Sequence, residues 1–363
     1  MAVDASPAMT DAHRLALVRT GSFEQLPKWL NLIPMVVQWI WLGIRYRSFT
    51  LPSSANPSIT SGGMVGEGKL EYFAAMGDIA LAATAEHIGV ENRPGLDADA
   101  VIVRMRTAGL QFPLVAKPDV GWCGYGVRLL ASHSELNDYL RRFPRGETFL
   151  LQRYLPEPGE AGLFYMREPD TAAGRLIGIL LRDYPAVTGN GTATVSDLIA
   201  GDARLRRATA NAMHECRYDP ARVPAPGETV RLSTVASTRV GGCYRDGTMY
   251  ATPALTARTD AIAKDMGTFL VGRFDVRYRT LESLQRGEFT IMEVNGAGSE
   301  AVHAWDPKYS IRDVYRIVFT KQRLLFRIAD ANRKRGHRPI GLRTLARLYL
   351  RQQRVMRSYP PSN

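Results

Sequence analysis

Cysteine is scarce: Cys123, Cys216 and Cys243 are the only three in 363 residues. The count is odd and no CxxC pair occurs. A disulfide framework and a structural zinc site are therefore not expected, and a reducing, cytoplasmic setting is the default reading. A secretory leader is not expected either, because the N-terminus carries Asp4 and no basic stretch ahead of an apolar run. No internal repeat or low-complexity tract is visible. The uncharged run Trp29–Ile44 stops short of a membrane span: as a helix it would rise about 24 Å against a hydrocarbon core of ~30 Å, and it contains Pro34. Acidic residues are nearly missing from one end. From Lys308 to Asn363 fifteen Lys and Arg face two Asp, so this segment carries the whole excess of the chain's +12, and the preceding 307 residues are near neutral at −1.

What is present is ordinary for a globular protein of two domains, or three small ones: 45% hydrophobic, 23% charged and 9% aromatic residues. An anionic partner, if there is one, belongs to the basic tail and not to the body. Residues 1–28 read as irregular. Trp29, Trp39 and Trp41 suit a membrane–water boundary, and the same run suits a helix buried against the body or against a dimer partner; the two readings stand side by side. In the tail, Ile317, Leu324, Leu325 and Ile328 alternate at helical spacing with Arg316, Arg323 and Arg327, and Leu345 and Leu348 with Arg343, Arg347 and Arg351. This is either the solvated face of a packed helix or an anionic-lipid contact acting with the Trp-rich run. Nucleic acid ranks behind both, since no aromatic-interleaved platform is visible.

The stretch 51–68 (LPSSANPSITSGGMVGEG) reads as a loop. Helical patterns cover Lys69–Ala85, Ala98–Ala108, 134–142, 195–215 and 254–266, and two basic helices follow Ser310 with Gly336 and Pro339 between them. Strand-like runs lie at 113–116, 127–130, 148–152, 162–166, 175–181, 268–279 and 288–294. The mixture, with many antiparallel signals, predicts an α+β fold.

The last two strands carry the strongest chemical signal. In GRFDVRY, Arg273, Asp275 and Arg277 share one face by the period of two; in FTIMEVN, Glu293 and Asn295 share a face, with Met292 and Val294 on the other. A short connection pairs the strands, so Asp275, Glu293 and Asn295 converge as hard oxygen ligands suited to Mg²⁺ held with phosphate oxygens. A solvated sheet face is the plainer explanation of the alternation alone. Three further segments accompany it. A buried-type strand ends in Lys117 and is followed by DVGWCGYGV, whose Gly121, Gly124 and Gly126 let backbone N–H groups approach phosphates. FLLQRYLPEPGE brings Gln152, Glu157 and Glu160 to a strand end. TGNGTATVSDLI leads into a helix that Ser196 can cap.

In this order the four segments resemble the ATP-grasp superfamily, over roughly residues 62–307. GEGKLEYFAAMG followed by FPLVAKPDVGWCGYGV is similar to the D-alanine–D-alanine ligases, and GNGTATVSDLI to the GDGxxTVxELI segment of cyanophycin synthetases and ribosomal-protein glutamate ligases. The resemblance implies an ATP-grasp fold, two α+β subdomains gripping ATP, with segments at 1–61 (apolar start and linker), 62–110 (helical), 111–187 (small subdomain), 188–307 (large subdomain with the metal site) and 308–363 (basic tail). It also implies roles. Lys117 contacts the phosphates, Lys69 joins the nucleotide set, and the loop bearing Gly121, Gly124 and Gly126 covers them. Gln152 reads adenine, Arg153, Tyr154 and Leu155 form the hinge, and Glu160 holds the ribose. Asp275, Glu293 and Asn295 bind Mg²⁺, and Arg273 steadies a tetrahedral intermediate.

The implied activity is an ADP-forming carboxylate–amine ligase that works through an acyl phosphate on small-molecule substrates. An ATP-grasp kinase is the alternative, and a membrane- or RNA-tethered nucleotide-binding module without catalysis is the reading from another class. The implied location is cytoplasmic, with peripheral attachment to the inner membrane face if the Trp-rich run is interfacial. The chain departs from the pattern in three places. Gln152 stands where an acid is usual, GAGSEAVHAWDP follows Asn295 in place of a Pro-Gly turn, and the N-terminal subdomain is shortened or replaced, so D-alanine is not supported as substrate. His214–Glu215–Cys216 reads as incidental, His303 as structural and Cys123 as a bystander.

Overall fold

The computed structural model describes residues 21, 23, 26–209 and 215–363. His214 and the end of the expected 195–215 helix lie outside the described residues, as do nearly all of residues 1–25. In chain order the helices are α1 (Lys28–Arg45), α2 (Lys69–Ala74), α3 (Asp78–Ala82), α4 (Ala98–Thr107), α5 (His133–Arg142), α6 (Val195–Gly201), α7 (Ala203–Thr209), α8 (Pro253–Asp265), α9 (Leu281–Gln285), α10 (Ile311–Lys334) and α11 (Leu342–Met356). The strands are β1 (His87–Glu91), β2 (Leu114–Pro118), β3 (Arg128–Leu130), β4 (Thr148–Arg153), β5 (Gly159–Met166), β6 (Arg175–Asp183), β7 (Ala186–Thr188), β8 (Thr229–Arg231), β9 (Cys243–Asp246), β10 (Val271–Tyr278) and β11 (Thr290–Asn295).

Local chemistry sets many of the helix starts. Asp97 accepts from the Ala100 N–H at the head of α4, Ser132 from Glu135 at α5, and Thr252 from Leu255 at α8, where Pro253 occupies the first turn. At α6 the cap is Thr194, not Ser196: Thr194 and Asp197 bond each other's backbone reciprocally, and Ser196 already lies inside the helix, two residues on. The expected 69–85 helix is two, because Gly77 takes an extended conformation between α2 and α3.

Two antiparallel sheets organise the α+β body. The four-stranded sheet has the order β1-β4-β2-β3; the five-stranded sheet has the order β11-β10-β5-β6-β9. The strands change sheets at 154–158, between β4 and β5, and not at residue 187, because β5 pairs with β10 along its whole length. Under the four-stranded sheet, Val101 and Met105 of α4 pack with Leu136, Tyr139 and Leu140 of α5. Behind the five-stranded sheet, Leu255, Ile262 and Ala263 of α8 pack with Leu163, Phe274, Val276 and Ile291. A third core closes that sheet's end with Leu42, Leu51 and Ala55 against Leu325, Phe326 and Ile328 of α10.

The 51–68 stretch is irregular, as expected, yet it is buried. Asn56 is fully enclosed and spends its amide four times, donating to the Gly62 and Val271 carbonyls (2.9 and 2.8 Å) and accepting from the Leu270 and Val271 N–H groups (2.8 and 3.0 Å). This side chain welds the stretch to the start of β10.

Candidate functional site

β10 and β11 pair so that Arg273 faces Asn295 and Asp275 faces Glu293 across the ladder. Cross-strand partners lie on the same face, so these four side chains share a surface while Phe274, Val276, Ile291 and Val294 enter the core. The strict alternation read from the sequence fails at one residue. The register shifts after Asp275, so Val276 faces Ile291. Ile291 therefore takes the core position with Val294, and the Met292 sulfur meets the Arg277 guanidinium at 3.3 Å. Nor is the face solvated: Asp275 is 2% exposed and Arg277 6%.

Asp275 is the hub. Arg273 grips it with two parallel bonds, Nε to Oδ1 at 2.6 Å and Nη2 to Oδ2 at 2.8 Å. Arg182, from β6, adds a bond to Oδ2 at 3.2 Å, and the Asn295 amide donates to the same oxygen at 3.1 Å. Burial would raise the Asp275 carboxyl, but Arg182 and Arg273 outweigh it and hold the group below its ordinary value. Arg182 also bonds Glu160 at 2.9 Å, Arg277 approaches the other Glu160 oxygen at 3.5 Å, and the Tyr184 hydroxyl donates to that same oxygen. Burial again works against the charge of Glu160, and Arg182 and Arg277 again keep it ionised. Both oxygens of Glu160 are thus spent on protein donors, which sets its geometry apart from the ribose contact expected of it.

The two sheets meet at Lys117. Its ammonium, at the end of β2, donates to Gln152 Oε1 at 2.7 Å and reaches the Met292 carbonyl of β11 at 3.3 Å. Burial pushes this lysine down to about 8. The Gln152 Nε2 is buried with no protein partner. Lys69 lies 3.4 Å from Glu293 and 3.4 Å from the Asp119 carbonyl. Gly121 lies beside it, since a Cβ there would meet the Lys69 ammonium at 3.5 Å. Gly124 and Gly126 have positive φ, +74° and +73°, which a side chain would strain. Their loop is pinned from outside: Arg239 donates to the Cys123 and Gly124 carbonyls at 3.2 and 3.3 Å. Arg153 is exposed and paired with Glu86, Tyr154 is half-buried and Leu155 is buried, all at the crossing from β4 to β5. His303 is packed between Phe164 and Gly178, and burial pushes it down to about 4.

Lys69, Lys117, Arg182, Arg273 and Arg277 are five cations set among three carboxylates, Glu160, Asp275 and Glu293. An excess of two positive charges at a largely buried sheet junction favours a polyanion. A Mg²⁺–ATP complex, with two net negative charges, would balance it. The donor set also suits a hard divalent ion: Glu293 and Asn295 flank Asp275, and the Glu293 side chain is 30% exposed. Among the described residues no cluster of three or more His, Cys, Asp or Glu side chains occurs, so such an ion would need the Asn295 oxygen as well as both carboxylates, and Asp275 would have to share oxygens that now accept from arginines.

Several participants carry no sequence signal. Arg182 and Tyr184 matter because β6 lies two strands from β10, which no spacing reveals. Glu67, with one buried oxygen lacking a partner, is pushed up to about 7 by burial. Lys321, on α10, donates to the Ala297 carbonyl at 3.4 Å in the loop after β11, and burial pushes it down to about 8. In sequence it is one cation among fifteen.

No protein-family model and no curated protein matches the chain. Among solved structures it is similar to a D-alanine–D-alanine ligase from Bacillus anthracis, with 14% identity, 73% of this chain and 70% of that chain covered, and a TM-score of 0.38. It is similar to a bifunctional glutathione synthetase from Pasteurella multocida, with 16% identity, 73% and 38% covered, and a TM-score of 0.36. It is similar as well to a RimK domain ATP-grasp protein from Sphaerobacter thermophilus, with 12% identity, 72% and 68% covered, and a TM-score of 0.37. The chain therefore spans well under half the length of that glutathione synthetase. With TM-scores below 0.5 these likenesses are partial, and what the site can do follows from its own geometry.

Proposed function

We propose that this protein is an ATP-dependent ligase that activates a carboxylate as an acyl phosphate and passes it to an amine. The observation that carries the reading is the β10–β11 register, which sets Arg273, Asp275, Glu293 and Asn295 on one face beside Lys117 and Lys69 with an excess of positive charge. Lys117 and Lys69 bind the triphosphate, and the Gln152 Nε2, buried with no protein partner, would donate to the base. Asp275, Glu293 and Asn295 would hold Mg²⁺, which when bound offsets charge on the phosphoryl oxygens. Arg273 has its Nε and Nη2 committed to Asp275, leaving Nη1 to face the oxyanion that forms when an amine attacks the acyl carbon. The carboxylate oxygen attacks the γ-phosphorus and ADP leaves. The amine then displaces phosphate and loses its proton.

The test is to incubate the protein with Mg²⁺–ATP, a panel of carboxylates and hydroxylamine. ADP release that depends on a carboxylate, with hydroxamate formed in step, is expected. Arg273→Met should lower amide formation by ~100-fold or more while ATP affinity stays within a few-fold, because the lost contact is made mainly in the transition state. A stable phosphorylated product, no hydroxamate and an unaffected Arg273→Met variant would replace the ligase with a kinase.

A further inference from the structure

α1 is apolar on both faces. Its inner face, bearing Asn31, Met35, Gln38, Trp39 and Leu42, packs on α10, and three of its contacts there are polar. Gln38 donates to the Phe319 carbonyl (2.9 Å), Gln322 to the Met35 carbonyl (3.4 Å), and Tyr315 to the Asn31 carbonyl (3.3 Å). The opposite face is apolar and left uncovered by the described residues: Trp29 is 66% exposed, Val37 60%, Ile44 65%, with Ile33, Ile40 and Trp41 between. So continuous an apolar surface on a soluble body marks a contact.

Charge says with what. α1 contains no Asp or Glu and is bounded by Lys28 and Arg45, with exposed Arg47 just beyond. The contacts pair Asn31 with Tyr315, Trp39 with Phe326 and Tyr46 with Arg333, so α1 and α10 run parallel. At 100° per residue, Arg312, Arg316 and Arg323 then fall along the flank of α10 next to the seam, and all three are exposed. Arg312 and Arg323 have no carboxylate partner among the described residues. Trp29 and Trp41, about 18 Å apart along the axis, stand near the two ends of the apolar face. No helix of the described residues is long and apolar enough to cross a membrane, and exposed apolar side chains from Trp29 to Ile44 suit contact with α1 lying flat. A second copy seated on this face would set its own Arg45, Arg47 and α10 arginines against the same cations, whereas a bilayer of acidic lipids accepts both the apolar face and the arginines.

We propose that the outer face of α1, flanked by the α10 arginines, docks this protein onto the surface of an anionic lipid bilayer. The test uses the full chain and vesicles of phosphatidylcholine with or without 30% phosphatidylglycerol. Flotation should show binding to the acidic vesicles at least ~10-fold tighter than to the neutral ones. It should weaken several-fold between 0.1 and 0.5 M salt as the charges are screened. The double variant Val37→Glu/Ile40→Glu, at exposed positions, should lose binding at least ~10-fold with an unchanged melting temperature. Arg312→Glu/Arg323→Glu should lose the preference for acidic lipid but keep weak binding to both. No binding, or binding indifferent to lipid charge and salt, overturns the proposal. So does a dimer in sedimentation velocity that Val37→Glu/Ile40→Glu dissolves while vesicles go unbound, which would assign the face to a second copy.

Discussion

Lys117 has lost most of the hydration that keeps a lysine basic, and it recovers only the Gln152 and Met292 oxygens in return. Its depressed value of about 8 means that the ammonium is present at pH 7 and is given up as pH rises through 8. If it binds phosphate, the affinity for Mg²⁺–ATP should fall about 10-fold between pH 7 and pH 9, following the protonated fraction. Lys117→Arg should remove that slope, because a guanidinium stays charged throughout. Calorimetric titration with Mg²⁺–ATP at the two pH values reads both, and a flat profile in the parent protein would falsify the phosphate role. The identity of Lys117 was legible, since a strand ending in Lys before a glycine loop is a pattern in the sequence. Its partner Met292 was not, because that contact joins two sheets 175 residues apart in sequence.

At the scale of elements, the alternation in GRFDVRY and FTIMEVN was enough to place Arg273, Asp275, Glu293 and Asn295 on one face. It was not enough to find the shift after Asp275, because a bulge leaves no mark on the period of two. The strand on the other side of β10 contributes by what it lacks. Gly162 of β5 faces Asp275, and a Cβ there would lie 2.8 Å from Arg273 Cδ and 3.0 Å from Asp275 Oδ1. Gly162→Ala should therefore leave the fold standing at a cost of about 1–3 kcal/mol and disturb the Arg273–Asp275 pair selectively. The expected result is carboxylate-dependent ADP release lowered about 10-fold, with ATP affinity within twofold. Undiminished turnover in this variant would show that the pair has room to spare. α5 and α8 were legible from their helical patterns. β7, β8 and β9 were not, being three or four residues long and paired with strands distant in sequence.

For the molecule as a whole, two α+β sheet systems were legible in the residues, but the crossing between them from β4 to β5 was not. The strand runs at 162–166 and 175–181 look like a continuation of the earlier ones, and only the long-range pairing of β5 with β10 assigns them to the second sheet. The 51–68 stretch was equally opaque, because proline, serine and glycine announce irregular backbone and say nothing of its depth. Asn56 ties that stretch to β10 with four hydrogen bonds from a fully buried side chain. Asn56→Ala strands two carbonyls and two N–H groups, and should lower unfolding stability by about 2–4 kcal/mol. Denaturant melts should show the midpoint falling in both sheets together if the stretch is part of one cooperative body, and a loss below 0.5 kcal/mol would mean that the weld is dispensable.

α10 is a single unbroken helix about 36 Å long. Along one side Tyr315, Phe319 and Phe326 seat it on α1; roughly a third of a turn away from that seam, Lys321 reaches the Ala297 carbonyl beside Arg273's strand. One element thus carries both the seat of α1 and a cation beside the loop that follows the β10–β11 face.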